Sequence, residues 1–342
     1  MGLTPIFIVY NFQKINMKRL DRYWYNQNPV AWLLLPLAGL YCLLAAMRFG
    51  LYNKGWLRSF KAPVPVIVVG NINVGGTGKT PLIIKLCEIL LQQGLKPGII
   101  SRGYGSKSTI FPLEIMPGTH AKEAGDEPLL LARRTQCPVI IGPDRQADIQ
   151  LLLERHGCDI ILSDDGMQHY RMHRDVEIAV VDIARRFGNG FCLPAGPLRE
   201  PVQRLRSVDM VIANGGLPSQ LSFTIKPAQL ISLAAETRFS SLSQFAGTKV
   251  HAVAGIGHPQ RFFKTLTDHG IEIIPHAFPD HHVYGIDDLH FGDDLPVLMT
   301  EKDAVKCAGF YMPRHWYLTI DIELSSIALQ RIEHLIAQVC HG

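Results

Sequence analysis

The chain lacks any extreme of charge: 34 Lys and Arg face 30 Asp and Glu, a formal net charge of +4 in 342 residues. That balance excludes the strongly basic surface of a nucleic-acid binder, so no nucleic-acid partner is expected. It also lacks any Cys-x-x-Cys pair. Its seven cysteines, at positions 42, 87, 137, 158, 192, 307 and 340, are scattered and odd in number. They exclude a dense disulfide scaffold and read as buried or free thiols of a reducing compartment. Repeats and low-complexity tracts are absent too. Hydrophobic residues make up 47% of the chain, enough for two packed domains or one large α/β domain with a lobe.

Long uncharged runs are scarce, with one exception. Val30 to Met47 carries no charge over 18 residues, just short of the roughly 20 that span a bilayer. Pro36 and Gly39 interrupt it. Lys18, Arg19 and Arg22 precede it, Arg48, Lys54, Arg58 and Lys61 follow, and Trp24, Trp32 and Trp56 lie nearby. Basic flanks with tryptophans predict an interfacial or shallowly inserted helix on an anionic leaflet, the competing reading being a buried core helix. A cleaved signal peptide fits poorly, because no small-x-small site precedes Arg48. Residues 1–16 carry no pattern, and Met17 is an alternative start.

What is present is a glycine-rich turn between a strand and a helix. The run Val64 to Val69 leads to Asn73-Val74-Gly75-Gly76-Thr77-Gly78-Lys79-Thr80, and Pro81 to Leu90 reads as a helix. Such a turn aims backbone N–H groups and a helix N-terminus at an anion. All eight residues are expected to bind nucleotide, Lys79 reaching the β/γ-phosphates and Thr80 holding Mg²⁺. Asn73 stands where the motif has its first glycine; asparagine best tolerates positive φ, so the turn is expected to survive.

Further apolar runs end in polar turns at Ser101, Gly142, Asp164, Asp182 and Asn214, with helical stretches between several of them. This alternation predicts a mostly parallel sheet with helices on both faces, of the phosphate-loop NTPase type, and ligands at the carboxyl ends of its strands. The pattern restarts after a junction at Gly215–Lys226. The expected organisation is a membrane-associating segment over 1–60, a kinase domain over 61–225 and a smaller α/β domain over 226–342.

The strand ends supply the chemistry. Asp164 and Asp165 occupy the position where phosphate-loop enzymes keep a Mg²⁺-organising carboxylate. Asp126 opens a helix, so it reads either as an N-cap or as the base that takes a proton from an attacking hydroxyl, with Glu127 beside it. His169 and His173, four apart, fit a substrate-facing loop better than a zinc site, which needs more ligands. His281, next to His282, could assist a carboxylate across a cleft. Arg145 and Arg199 could pair with phosphates. In Thr300-Glu301-Lys302-Asp303 the lysine is displaced by one from the guanine-reading pattern [NT]-K-x-D, so guanine selection is not supported.

These motifs, together with Gly70-Asn71-Ile72, Ser101-Arg102-Gly103-Tyr104-Gly105, Gly125-Asp126-Glu127-Pro128, Asp164-Asp165-Gly166-Met167-Gln168-His169, Arg186-Phe187-Gly188-Asn189-Gly190, Leu193 to Glu200, Gly255-Ile256-Gly257 and Thr300 to Lys306, resemble the tetraacyldisaccharide 4′-kinase family from about Trp32 to Lys306. The resemblance implies ATP-dependent phosphorylation of the 4′-hydroxyl of a tetraacylated glucosamine disaccharide 1-phosphate, giving lipid IV-A in lipid A assembly. It implies an enzyme held at the cytoplasmic face of the bacterial inner membrane by its N-terminal helix, with no obligate protein partner. It makes Asp126 the catalytic base, His281 its support and Lys79 a catalytic cation. Glu127, Arg145, Gln168, His169 and Arg199 become substrate contacts, while ATP and Mg²⁺ use the phosphate loop with Asp164 and Asp165. The alternatives are a phosphate-loop ATPase or GTPase acting as a switch or metallochaperone, and a non-catalytic membrane scaffold.

Overall fold

The computed structural model of the protein describes residues 23–341 except 27, 236, 308, 311 and 312. Lys18, Arg19, Arg22 and the alternative start at Met17 lie outside them. The uncharged segment forms helix α1, Pro29–Asn53. Asn28 caps it by accepting from the Ala31 N–H, and Pro29 starts it where no N–H is needed. Only Ala31 and Ala38 of this helix are buried, while Leu33 is 81% exposed. A core helix is therefore excluded: α1 is long and apolar enough to cross a membrane yet presents most of its side chains outward.

Thirteen strands join in one sheet among the described residues. They are β1 (Val66–Gly70), β2 (Pro97–Ser101), β3 (Leu113–Glu114), β4 (Val139–Ile141), β5 (Ile160–Asp164), β6 (Val176–Asp182), β7 (Met210–Asn214), β8 (Ser222–Ser232), β9 (Phe239–Ser240), β10 (Lys249–Ala254), β11 (Glu272–Ala277), β12 (Val297–Thr300) and β13 (His315–Leu324). Their order is β11-β10-β12-β13-β8-β7-β6-β1-β5-β2-β4-β3, with β9 on β8. All pairs are parallel except β13 with β8, β8 with β9 and β3 with β4. The reason lies in the strand sequences: successive side chains point to opposite faces, and in β1 both sets are apolar. Ile67 and Val69 enter one core, Val66 and Val68 the other.

Helices α2 (Lys79–Gln92), α3 (Ala121–Ala124), α4 (Asp126–Thr135), α5 (Arg145–His156), α6 (Pro259–Asp268), α7 (Glu301–Ala304) and α8 (Ser326–His341) complete the α/β fold. The last helix does not stay with the second half. Ala328, Ile332, Leu335 and Ile336 form a helical stripe that packs into the core around α2 and β1. The boundary read at 225/226 falls inside β8, an 11-residue strand that pairs with β7 of the first half and β13 of the second. A register shift interrupts the β13–β8 ladder between Leu318 and Ile320. Arg134 of α4 adds an ionic clamp between the halves, meeting Glu301 of α7 at 2.8 Å and Asp321 of β13 at 2.5 Å.

The cysteine reading is corrected at two positions. Packing of α1 along the loop after β6 brings Cys42 and Cys192 to a Cα separation of 6.4 Å, and they are disulfide-bonded. A separation of 150 residues left no spacing signal for that pair. The other five are free, as expected.

Candidate active site

The phosphate loop is built from Asn71 outward. Its side-chain amide donates to Thr77 Oγ1 at 3.1 Å and to the Gly75 carbonyl at 3.3 Å, and its oxygen accepts from Lys79 Nζ at 3.2 Å. Gly75 and Gly78 take left-handed φ of 101° and 97°. At Gly78 a Cβ would lie 2.7 Å from Asn214 Nδ2, so only glycine fits. Gly78 is the N-cap of α2 and offers no side chain to it, which leaves the first N–H groups of the helix for an anion. The expectation for Asn73 is corrected: its φ is not positive. Instead its amide anchors the loop on the Arg186 carbonyl at 2.5 Å, and its backbone bridges to Leu198.

Parallel pairing of β1 with β5 sets Val69 opposite Asp164 and brings the acidic pair beside the loop. Asp165, at φ 50°, forms an ion pair with Lys79 at 3.1 Å and accepts from Arg199 at 2.7 Å. Burial alone would raise its pKa, but the two cations outweigh it and hold the carboxyl far below the usual range. Asp164 is different. It is buried, accepts one hydrogen bond from Ser101 Oγ at 3.3 Å, and its Oδ1 has no partner. Burial, with the charge of Glu127, pushes it up to about 7. An orphaned carboxylate oxygen of this kind suits a hard cation.

Asp126 is the first residue of α4 and the N-cap is Gly125, so the capping reading of Asp126 is set aside. Gly125 has φ 84°, and a Cβ there would meet the Tyr104 carbonyl at 2.5 Å. Freed from capping, the buried Asp126 carboxylate accepts from His281 Nδ1 at 2.9 Å. Burial pushes Asp126 up, yet that hydrogen bond and the charge of Lys302 bring it down to about 2. His281 is raised by the same bond, against burial and Lys302. The doubled histidine is resolved: His281 faces Asp126, whereas His282 pairs with Asp288 at 3.1 Å.

Lys302 is the residue that sequence reasoning missed. It is the second residue of the single turn of α7, and its Nζ lies 2.9 Å from Glu127, 3.6 Å from Asp280 and 3.7 Å from Asp126. Its motif was weighed only as a base-reading element, while its signal was its place just after strand β12. Burial would lower its pKa, but the three carboxylates raise it above the ordinary lysine value. Asn71 and Ser101, at the ends of β1 and β2, were also passed over as site residues.

The remaining expected contacts do not all converge. Arg145 is buried, bonding Asp148 and the Gly142 carbonyl at 3.3 Å each and the Asp164 carbonyl at 3.5 Å, so it braces the strand ends. Gln168 donates to the Asn71 carbonyl at 3.1 Å and to Glu200 at 3.0 Å, tying the acidic turn to the phosphate loop. His169 lies in a separate cavity away from Asp126, and His173 pairs with Asp175 at 3.6 Å. Among the described residues no group of three His, Cys, Asp or Glu is arranged to hold a metal, so the zinc reading finds no support.

A loop that grips phosphates and, in the same half, a buried carboxylate met by an imidazole from the other half suit one operation, moving a phosphoryl group onto a hydroxyl. The class is that of phosphate-loop phosphotransferases. Residues 30–339 match the model of the family described as LpxK, Tetraacyldisaccharide-1-P 4′-kinase, and the chain belongs to that family. The Tetraacyldisaccharide 4′-kinase of Alkalilimnicola ehrlichii is 51% identical over 94% of this chain and 98% of its own length. That of Pseudomonas aeruginosa is 47% identical over 94% and 99%. The crystal structure of LpxK from Aquifex aeolicus in complex with ATP superposes with a TM-score of 0.76 at 29% identity, covering 91% of this chain and 99% of that one.

Proposed function

We infer that the protein transfers the γ-phosphoryl group of ATP to the 4′-hydroxyl of tetraacyldisaccharide 1-phosphate, forming lipid IV-A. The observation that supports its chemistry best is the pairing of the buried Asp126 carboxylate, in the phosphate-loop half, with His281 from the other half. Asp126 is the base: ionised at neutral pH, it accepts the hydroxyl proton while the His281 N–H fixes its orientation. Lys302 sits beside it as a cation that favours its ionised form and pairs with Glu127. Lys79 leaves Asp165 to meet the β/γ-phosphates, and Arg199 remains to hold Asp165 in place. Thr80, Asp164 and Asp165 are the residues that would hold Mg²⁺, Asp164 through its unpartnered Oδ1. The ion, when bound, supplies charge neutralisation on the phosphates.

Incubating the protein with ATP, Mg²⁺ and the disaccharide lipid should yield the phosphorylated lipid. Absence of that product while ATP still binds would leave the switch or scaffold reading in its place.

The membrane pose follows from α1. Its contacts run along its whole length: Trp32 on Phe191, Cys42 bonded to Cys192, and Phe49 and Tyr52 on Tyr170. A helix held to the protein body from end to end enters a bilayer by one face, so the proposed location is the cytoplasmic surface of the inner membrane with α1 inserted shallowly. Replacing Leu33, Leu37 and Leu40 together by Asp should abolish co-sedimentation with anionic vesicles while leaving ATP binding intact. Undiminished sedimentation would assign the anchoring elsewhere. The organisation into a phosphate-loop unit and a second unit that supplies His281 and Lys302, the two joined through β8, is part of the same proposal.

A further inference from the structure

Below the C-terminal end of α1, the chain from Arg58 to Phe60 crosses the turn that follows β5 and encloses a cavity of about 280 Å³. Its polar wall comes from Arg58, Ser59, Asp144, Gln146, His169 and Arg171. The cavity is not at the Asp126–His281 pair. It borders the Asp164–His169 turn through His169, while Asp165 of the same turn meets Lys79.

The charges in this cavity are unbalanced. Neither Arg58 nor Arg171 has an ion-pair partner among the described residues. The one carboxylate of the wall, Asp144, already serves as the N-cap of α5, accepting from the Gln146 N–H at 3.0 Å. Ser59 Oγ donates to the Tyr170 carbonyl at 2.7 Å and fixes the segment that carries Arg58. His169 adds no charge: burial and the surrounding arginines hold its imidazole down to about 4. The cavity is thus a polar recess with two uncommitted guanidinium groups, whose forked donors suit a phosphate monoester.

The acceptor lipid named by the family carries such a group at the end opposite the reacting hydroxyl. Helix α1, the surface proposed for the acyl chains, runs directly into Arg58 through the segment after Asn53. We propose that this cavity seats the 1-phosphate of the acceptor, gripped by Arg58 and Arg171, so that the sugar is measured between this recess and the phosphate loop. The proposal rests on the kinase reading above, and it makes the 1-phosphate a determinant of acceptor selection.

The test compares the natural acceptor with an analogue lacking the 1-phosphate, both presented in neutral detergent micelles, for wild type and R58Q/R171Q. Both arginines are exposed, so the variant keeps its core intact. For wild type, loss of the 1-phosphate should cut kcat/KM by ~10–100-fold, the range of charge-assisted hydrogen bonds. The double variant should lose the same factor on the natural acceptor, turn over the analogue at the wild-type rate and keep its KM for ATP. Equal losses on both acceptors would overturn the proposal and assign the arginines to lipid headgroups in general; so would unchanged kinetics on both. If wild type phosphorylated neither acceptor, the kinase reading itself would fall, and the proposal with it.

Discussion

Replacing Asp126 with alanine should lower kcat by ~10³-fold, within the range that a positioned general base contributes, while ATP affinity stays as it is. The separation is expected because Asp126 touches His281 and Lys302, not the phosphate loop. Single-turnover phosphorylation of the lipid, with calorimetric ATP binding as the control, measures it. A near-normal rate would reduce Asp126 to a structural ion-pair partner. The pH profile gives a second reading of the same group. Asp126 stands at about 2 because His281 and Lys302 favour its ionised form against burial. Removing either partner therefore raises the carboxyl pKa, and the fall of activity on the acid side moves to higher pH. His281→Ala should show that upward displacement together with a lower plateau. An acid limb left in place would mean that another group governs it.

The second large effect is expected at Lys79. Its Nζ is shared between Asp165 at 3.1 Å and Asn71 at 3.2 Å, so the cation is held in place before any nucleotide arrives. Lys79→Ala removes the charge that meets the β/γ-phosphates and also strips Asp165 of one of its two cations. By analogy with the loss of a preorganised electrostatic group, kcat should fall ~10²–10³-fold, with weaker ATP binding besides. Steady-state kinetics over a range of ATP concentrations resolves the two effects. Lys79→Arg should not restore the rate, since a planar fork does not replace a compact ammonium in a loop this tight. Full activity in either variant would remove Lys79 from the transfer step.

Much of this was legible in the sequence because it was local. The phosphate loop, its flanking strand and helix, and the Asp164–Asp165 strand end each occupy a few consecutive residues whose spacing dictates their geometry. Asp126 was legible as a choice, and the φ of Gly125 made it: once glycine holds the cap, the aspartate side chain is free to turn outward. Lys302 was not legible, because its role comes from Glu127, which lies 175 positions away in the chain. Cys42 and Cys192 stayed hidden for the same reason. Asn73 misled in a different way: a residue chosen for its side-chain hydrogen bond was read as one chosen for its backbone freedom. The boundary between the halves escaped because apolar runs reveal strands, not which strands are neighbours.

The joint between the halves is a hydrogen-bonded ribbon, β8 against β13, with a register shift near its middle. Such an irregularity locally increases twist. The donor side of the reaction hangs from one end of this ribbon and His281 with Lys302 from the other. A relative movement of those two ends would wind or unwind the ribbon, which makes torsion its soft coordinate. Its stiffness is set by residues around Leu318 to Ile320, none of which touches a substrate.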